Sequence, residues 1–126
     1  MAGRELTFTL TIPPSQNHCY RSFVDKNHRR RSILTDTAKK WFADARVVAT
    51  DAMNRNGWTV PQQEKVIVEY TVVWADHRRR DPSNLEKVML DALQCVTGDD
   101  QYVLPRCIDF SYDKGNPRVE VVVRRA

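Results

Sequence analysis

Leu6, Phe8, Leu10 and Ile12 alternate with threonines near the start of the chain. A period of two marks a strand with one buried face, and Pro13-Pro14 stops it. Residues 15 to 34 are polar and basic without a clear period, which predicts a long connection of the kind that is functional in a compact domain. From Thr35 or Asp36 the apolar set Ala38, Trp41, Phe42, Ala45, Ala49, Ala52 and Met53 follows helical spacing until Gly57, a helix stop. Val66, Val68, Tyr70, Val72 and Trp74 then alternate, with Ile67 and Val73 making the second face partly apolar as well. That predicts a central strand.

A second helix is predicted from Asp81-Pro82. Aspartate caps free amide groups, and proline in the first helical position loses no hydrogen bond. Leu85, Val88, Met89, Ala92, Leu93 and Val96 form its buried stripe, and Gly98 is placed to end it. Tyr102 to Asp113 reads as a strand interrupted early by Pro105, and Val119, Val121 and Val123 alternate in a last strand. Between them Asp113-Lys114-Gly115-Asn116-Pro117 has hairpin composition, so these two strands are predicted to pair antiparallel. The order β-α-β-α-β-β predicts an α+β fold: a two-layer sandwich of a mixed or antiparallel sheet with two helices, in one domain over residues 1–126.

Composition changes this picture little. Of 126 residues, 41% are hydrophobic and 29% charged, ordinary for a globular protein, and no apolar run approaches the roughly 20 residues of a membrane span. The start alternates and does not read as a signal peptide, so a cytoplasmic protein is expected. Cys19, Cys95 and Cys107 form neither a CxxC pair nor a regular framework and are read as reduced thiols, while His18, His28 and His77 fall at no metal-ligand spacing.

Charge matters through its distribution. The net charge of +4 favours polyanions only weakly, but Lys26, His28, Arg29, Arg30 and Arg31 form one cluster and Arg78, Arg79 and Arg80 a second. Solvated loop charge is the plain reading of Arg124 and Arg125. For the two triplets phosphate contact is the better account, because the runs repel each other and nearby carboxylates are few.

The candidate chemistry lies in HRRRDPSNLEKVMLDALQCVTGDD, residues 77 to 100. Asn84, Lys87 and Asp91 share one helix face leading away from Asp81. The plain reading of Lys87 and Asp91 is a solvent-exposed ion pair worth about 0.3 kcal/mol. The chemical reading is a magnesium-dependent phosphodiesterase. Mg²⁺ prefers an octahedral oxygen shell with carboxylates in it, which Asp81, Asp99 and Asp100 can supply. Lys87 can offset charge on a phosphate, and the arginines can hold the polyanion. A helix of roughly 15 residues puts its ends on the order of 20 Å apart, so Asp81 and Asp100 cannot share one ion if the chain runs on in line. Antiparallel packing of this helix in a two-fold dimer would join Asp81 of one copy to Asp100 of the other.

RRRDPSNLEKVMLDAL followed by GDDQYV, with PPSQNHCYR after the first strand, resembles the RusA family of Holliday junction resolvases. The resemblance covers nearly the whole chain. It implies an α+β fold, a homodimer, and paired nicking of four-way DNA junctions in recombination and repair with Mg²⁺, or Mn²⁺ in its place, held by acids contributed across the dimer. It implies catalytic roles for Asp81, Lys87 and Asp100, with Asp81, Asp99 and Asp100 on the metal. Asp91 matches the acid of the Asp-Ala-Leu motif. DNA is expected at Arg21, Lys26, Arg29, Arg30 and Arg31, and at Arg78, Arg79 and Arg80. The family pattern usually reads Asp-x-Asp-Asn-Leu, and here Ser83 stands at the second acid. A hydroxyl is a weaker ligand, so magnesium binding is expected to suffer unless Asp99, Asp100 or His77 compensates, and Ser83, His77 and Asp91 are candidates to touch the metal or support its ligands. Two other readings stand beside the nuclease: a non-catalytic binder of branched DNA, supported by Ser83, and a protein-interaction domain, which accounts poorly for the basic triplets.

Overall fold

Residues 4–78 and 80–126 are described by a computed structural model of the chain. A four-stranded sheet in the order β1-β6-β4-β5 carries the helices on one face, and a separate two-stranded ribbon, β2 (Tyr20–Val24) with β3 (Arg30–Leu34), stands apart from it. Strand β1 covers Glu5–Leu10, β4 covers Val66–Trp74, β5 covers Val103–Tyr112 and β6 covers Arg118–Arg125. Helix α2, Asp36–Asn56, is bounded as its sequence predicts. The Thr35 hydroxyl accepts from the Ala38 amide at 3.3 Å, and Gly57 closes the last turn at φ 67°. Its buried stripe of Ala38, Trp41, Phe42, Ala45, Ala49 and Ala52 meets Leu6, Phe8, Val68, Tyr70 and Val121 from the sheet.

Strand β4 is central, between β6 and β5. Val66, Val68, Tyr70, Val72 and Trp74 join the core under the helices, while Ile67 and Val73 are buried on the other face. That face is otherwise mixed, with Thr7, Thr9, Glu69, Thr71, Glu120 and Arg124 beside Val122 and Ile108 around a shallow depression. Two layers, with one sheet face left to solvent, are the α+β arrangement predicted from the patterning.

Four expectations change. The predicted hairpin of the last two strands does not form: β5 and β6 lie on opposite sides of β4, β5 parallel to it and β6 antiparallel. The residues between them do make a tight turn, with the Asn116 amide donating to the Asp113 carbonyl at 3.2 Å, and the turn arches over the end of β4, where the Asp113 amide donates to the Trp74 carbonyl at 2.8 Å. Turn composition fixes a reversal but not whether a third strand lies between the reversed ones. Second, Pro105 does not interrupt β5; the irregularity sits later, where β4 passes from Tyr70 to Thr71 and its partner from Cys107 to Asp109.

Third, residues 15 to 34 are structured. A single helical turn, α1 (Gln16–Cys19), leads into β2 (Tyr20–Val24), which pairs antiparallel with β3 (Arg30–Leu34). These strands bury little, and their apolar residues, among them Phe23, Val24 and Ile33, are exposed and do not alternate, so periodicity gives no sign of them. Fourth, the second helix is shorter. It runs as α3, Ser83–Ala92, breaks at Leu93, and adds one turn, α4, Gln94–Thr97.

Strands β4 and β5 are parallel and joined through α3, the β-α-β crossover that parallel pairing requires. Such a connection leaves the C-terminal end of one strand and enters the N-terminal end of the next. The segment before α3 and the segment after α4 therefore lie at opposite ends of the sheet.

Candidate active site

Asp81 sits at the start of α3. Its Oδ1 accepts from the Ser83 amide at 3.0 Å and its carbonyl from the Asn84 amide at 3.0 Å, so Asp81 closes the turn that leads into α3, with Pro82, already helical in its backbone at φ −55° and ψ −30°, one position before the helix proper. The Ser83 amide, and the Ser83 hydroxyl after it, hold the Asp81 carboxyl below the usual carboxylate range. Ser83 thus touches Asp81 from the position where a second acid was expected. A cavity of about 270 Å³ opens beside Asp81, walled by Ile12, Pro13, Trp74, Arg80 and Asn84.

The loop before it is organised by an acid that sequence reading passed over. Asp76 Oδ1 accepts from the Arg78 amide at 2.9 Å and from the Arg80 guanidinium at 2.8 Å. The guanidinium first, and the amide second, hold the Asp76 carboxyl below its usual range. Arg80 also lies 4.9 Å from the centre of the Trp74 ring, so it is fixed between an acid and an aromatic face. Among the described residues His77 joins no group of side chains that could hold a metal ion; its ring stacks on Tyr112 at 3.8 Å. Arg79 lies outside the described residues.

Lys87 and Asp91 share the face of α3 expected for them, with Nζ 3.5 Å from Asp91 Oδ2. They are more than a surface pair. The Tyr20 hydroxyl donates to the same Asp91 oxygen at 2.8 Å, and the Lys87 ammonium lies 5.1 Å from the Tyr20 ring centre. Burial first, and the bond to Asp91 next, push the Tyr20 hydroxyl up to about 12. Tyr20 begins the β2-β3 ribbon, so this contact fastens the ribbon to the helix that carries Lys87. No local pattern reveals a contact between residues 71 apart.

The ribbon presents Arg21, Lys26, Arg29, Arg30 and Arg31 at its surface, all exposed. Asp25 builds its turn: Oδ1 accepts from the Asn27 and Arg29 amides, each at 2.9 Å, and Oδ2 pairs with Arg31 at 2.9 Å. Arg31 first, with the Arg29 amide next, holds the Asp25 carboxyl below its usual range. Each basic cluster thus has one acid that binds one arginine, Arg31 or Arg80, which orders that side chain without neutralising the cluster. The other cations of each cluster still outnumber that acid.

The last acids lie far from Asp81. Gly98 adopts φ 79° and ψ −153°, a conformation open in practice to glycine alone, and a Cβ there would stand 2.8 Å from the Pro61 carbonyl oxygen. After it Asp99 caps a 3₁₀ turn over Asp100–Tyr102: its Oδ1 accepts from the Gln101 amide at 3.1 Å and its Oδ2 from the Gln101 side chain at 3.0 Å. Asp100 is exposed in that turn. Among the described residues, no three His, Cys, Asp or Glu side chains gather where they could hold a metal ion. The donors suit magnesium chemically, but one copy of the chain does not assemble them.

The family described as Endodeoxyribonuclease RusA matches residues 11–124. The chain belongs to the RusA family. The match runs from the entry into α1 to the next-to-last residue of β6, so the acids, the lysine and both basic segments of this RusA chain lie within the matched region. No individual curated protein matches it. No helix among the described residues is long and apolar enough to cross a membrane.

Proposed function

We propose that this RusA-family chain is a magnesium-dependent DNA endonuclease that resolves four-way junctions by paired nicking, and that two copies complete each metal site. The observation that carries the reading is the division of the acids. Asp81 stands at one end of the β4-α3-β5 crossover and Asp99-Asp100 at the other, with basic side chains at the Asp81 end. A two-fold axis that sets two such crossovers antiparallel joins Asp81 of each copy to Asp100 of the other and makes two equivalent centres, as two symmetric cuts require.

Bound there, the metal would polarise the scissile phosphate and favour hydroxide as the attacking species. The chain's own residues do the rest. Water adds to phosphorus and one phosphodiester P–O bond breaks, leaving a nick. Lys87, steadied by Asp91 and Tyr20, offsets the charge that builds on the phosphoryl oxygens. Arg21, Lys26, Arg29 and Arg30 of the ribbon, with Arg78 of the loop, hold the flanking backbone through phosphate contacts. Seating DNA on the ribbon bears on Tyr20, and through it on Lys87, so binding and alignment share one mechanical link.

A second reading draws on Ser83. It donates to Asp81 where the family usually has an acid, which favours a junction-binding relative that does not cut. Incubating the protein with a synthetic four-way junction in Mg²⁺ or Mn²⁺ separates the two. The nuclease reading expects symmetric incision near the branch; tight binding with no incision in either metal would leave the binding reading standing.

A further inference from the structure

Asp81 has a second cavity near it, on the other side of Arg80. Its volume is about 230 Å³, and it shares Trp74 and Arg80 with the cavity at Asp81 while adding His77, Arg78, Phe110 and Tyr112. Phe110 and Tyr112 pair in register with Val72 and Trp74, yet they are 54% and 43% exposed, because α3 does not reach over the edge strand β5. Their rings meet edge to face at 6.3 Å, and His77 stacks on Tyr112 at 3.8 Å with the planes 33° apart. Three aromatic rings thus stand open to solvent between two arginines.

Several observations indicate what covers them. The rim is cationic, which suits a polyanion. The strand beneath is a poor partner for a second copy's strand: Pro105 offers no amide, the pairing with β4 is irregular at Cys107–Asp109, and the Phe110 amide is taken by Asp109 Oδ1 at 2.8 Å. The rings lie one side chain away from Asp81. A nucleobase offers a flat π-face whatever its identity, and base-on-aromatic stacking between arginines is a common means of holding single-stranded DNA. At a branch point the bases have lost part of their stacking, so lifting one out costs least there.

We infer that His77, Phe110 and Tyr112 form a stacking platform for a DNA base drawn out of the helix beside the phosphate that Asp81 faces. This rests on the nuclease reading above. It gives His77 to the base and not to the metal. It also supplies an element of branch selectivity: a continuous duplex has to unstack a base to use the platform, whereas a junction has one to offer.

The test uses four-way junctions carrying a single 5-iododeoxyuridine at successive positions around the branch, irradiated with the protein in the absence of divalent metal. Photocross-linking is expected at branch positions only, to the peptide that contains Phe110 and Tyr112. Exchanging both rings by Phe110→Leu and Tyr112→Leu keeps apolar bulk and removes the π-faces; cross-link yield and junction affinity should each fall about tenfold, with binding to linear duplex little changed. Unchanged junction affinity in the leucine pair, or cross-links that map elsewhere, would overturn the platform. A leucine pair that sediments at half the mass of the parent would overturn it too, by assigning the rings to a contact between copies. If the leucine pair does not fold, the map on the unaltered protein decides alone. Failure of the unaltered protein to cut junctions strikes the nuclease reading instead, whatever the cross-links show.

Discussion

The two ends of the β4-α3-β5 crossover hold their aspartates by the same device and surround them differently. Asp81 and Asp99 each accept a backbone amide two residues ahead, at 3.0 and 3.1 Å. At the Asp81 end the cap is the start of a helix, and the neighbours are arginines, open aromatic rings and two cavities. At the other end the acids follow a glycine pressed against the Pro61 carbonyl. Side-chain hydrogen bonding holds the acid at both ends, and the first end also leaves room for a ligand. The second depends in addition on the backbone turn at Gly98, which leaves no room for a side chain there. One acid can therefore be altered in charge while its placement survives, and the other can be moved with its charge intact.

The largest expected effect comes from separating charge from cap at the first end. Asp81→Asn retains an oxygen for the Ser83 amide, so unfolding free energy and junction affinity should change by less than about 0.5 kcal/mol. Incision should fall about a hundredfold or more, measured as single-turnover cutting of a labelled junction. Loss of binding alongside incision would mean that Asp81 is architecture alone, and the contrast between the two ends would collapse.

Gly98→Ala strikes the second end through geometry. A positive φ with extended ψ, and a Cβ at 2.8 Å from a carbonyl oxygen, should cost about 2 kcal/mol in urea unfolding. A cost below about 0.5 kcal/mol would show that the Pro61 segment yields and that the turn is not fixed as described.

A smaller effect is expected where the ribbon meets α3. The folded Tyr20 hydroxyl titrates at about 12 against an ordinary 10.0, so the stability tied to its protonated form is complete below pH 10 and is lost as pH rises toward 12. Burial pushes the Tyr70 hydroxyl upward as well, with its bond to Glu86 adding to the shift, so the alkaline slope has two sources. Tyr20→Phe should flatten that slope only in part, followed by denaturation between pH 9 and 12. In the same variant incision should fall a few-fold, and the loss should vanish in a Lys87→Met background, since both changes act through one ammonium. Additive losses would dissolve the link between ribbon and lysine.

Much of the scaffold was legible because it rests on local chemistry. Thr35 and Gly57 bound α2, Asp81-Pro82 leads into α3, and the doubly apolar run from Val66 to Trp74 is an interior strand, between β6 and β5. What escaped depends on partners distant in sequence. The β2-β3 ribbon buries too little to show a period. The turn at Asp113–Pro117 gave no sign that β4 lies between the strands it joins. Tyr20 and Asp91 meet across 71 positions, and Phe110 and Tyr112 look like ordinary strand residues until the reach of α3 is known. The separation of the acids was readable as well, although helix length suggested for one reason what parallel strand pairing imposes for another.

Parallel pairing has a metrical consequence. Strand β4 is nine residues long, so the two ends of the crossover stand roughly 27 Å apart. In the two-fold pair proposed above, the distance from Asp81 to Asp100 within one copy is also the distance from one centre to the other. In that proposed pair the gap between the two incisions would be set by counting residues along a strand, and the sheet would serve as a caliper for the spacing of the cuts.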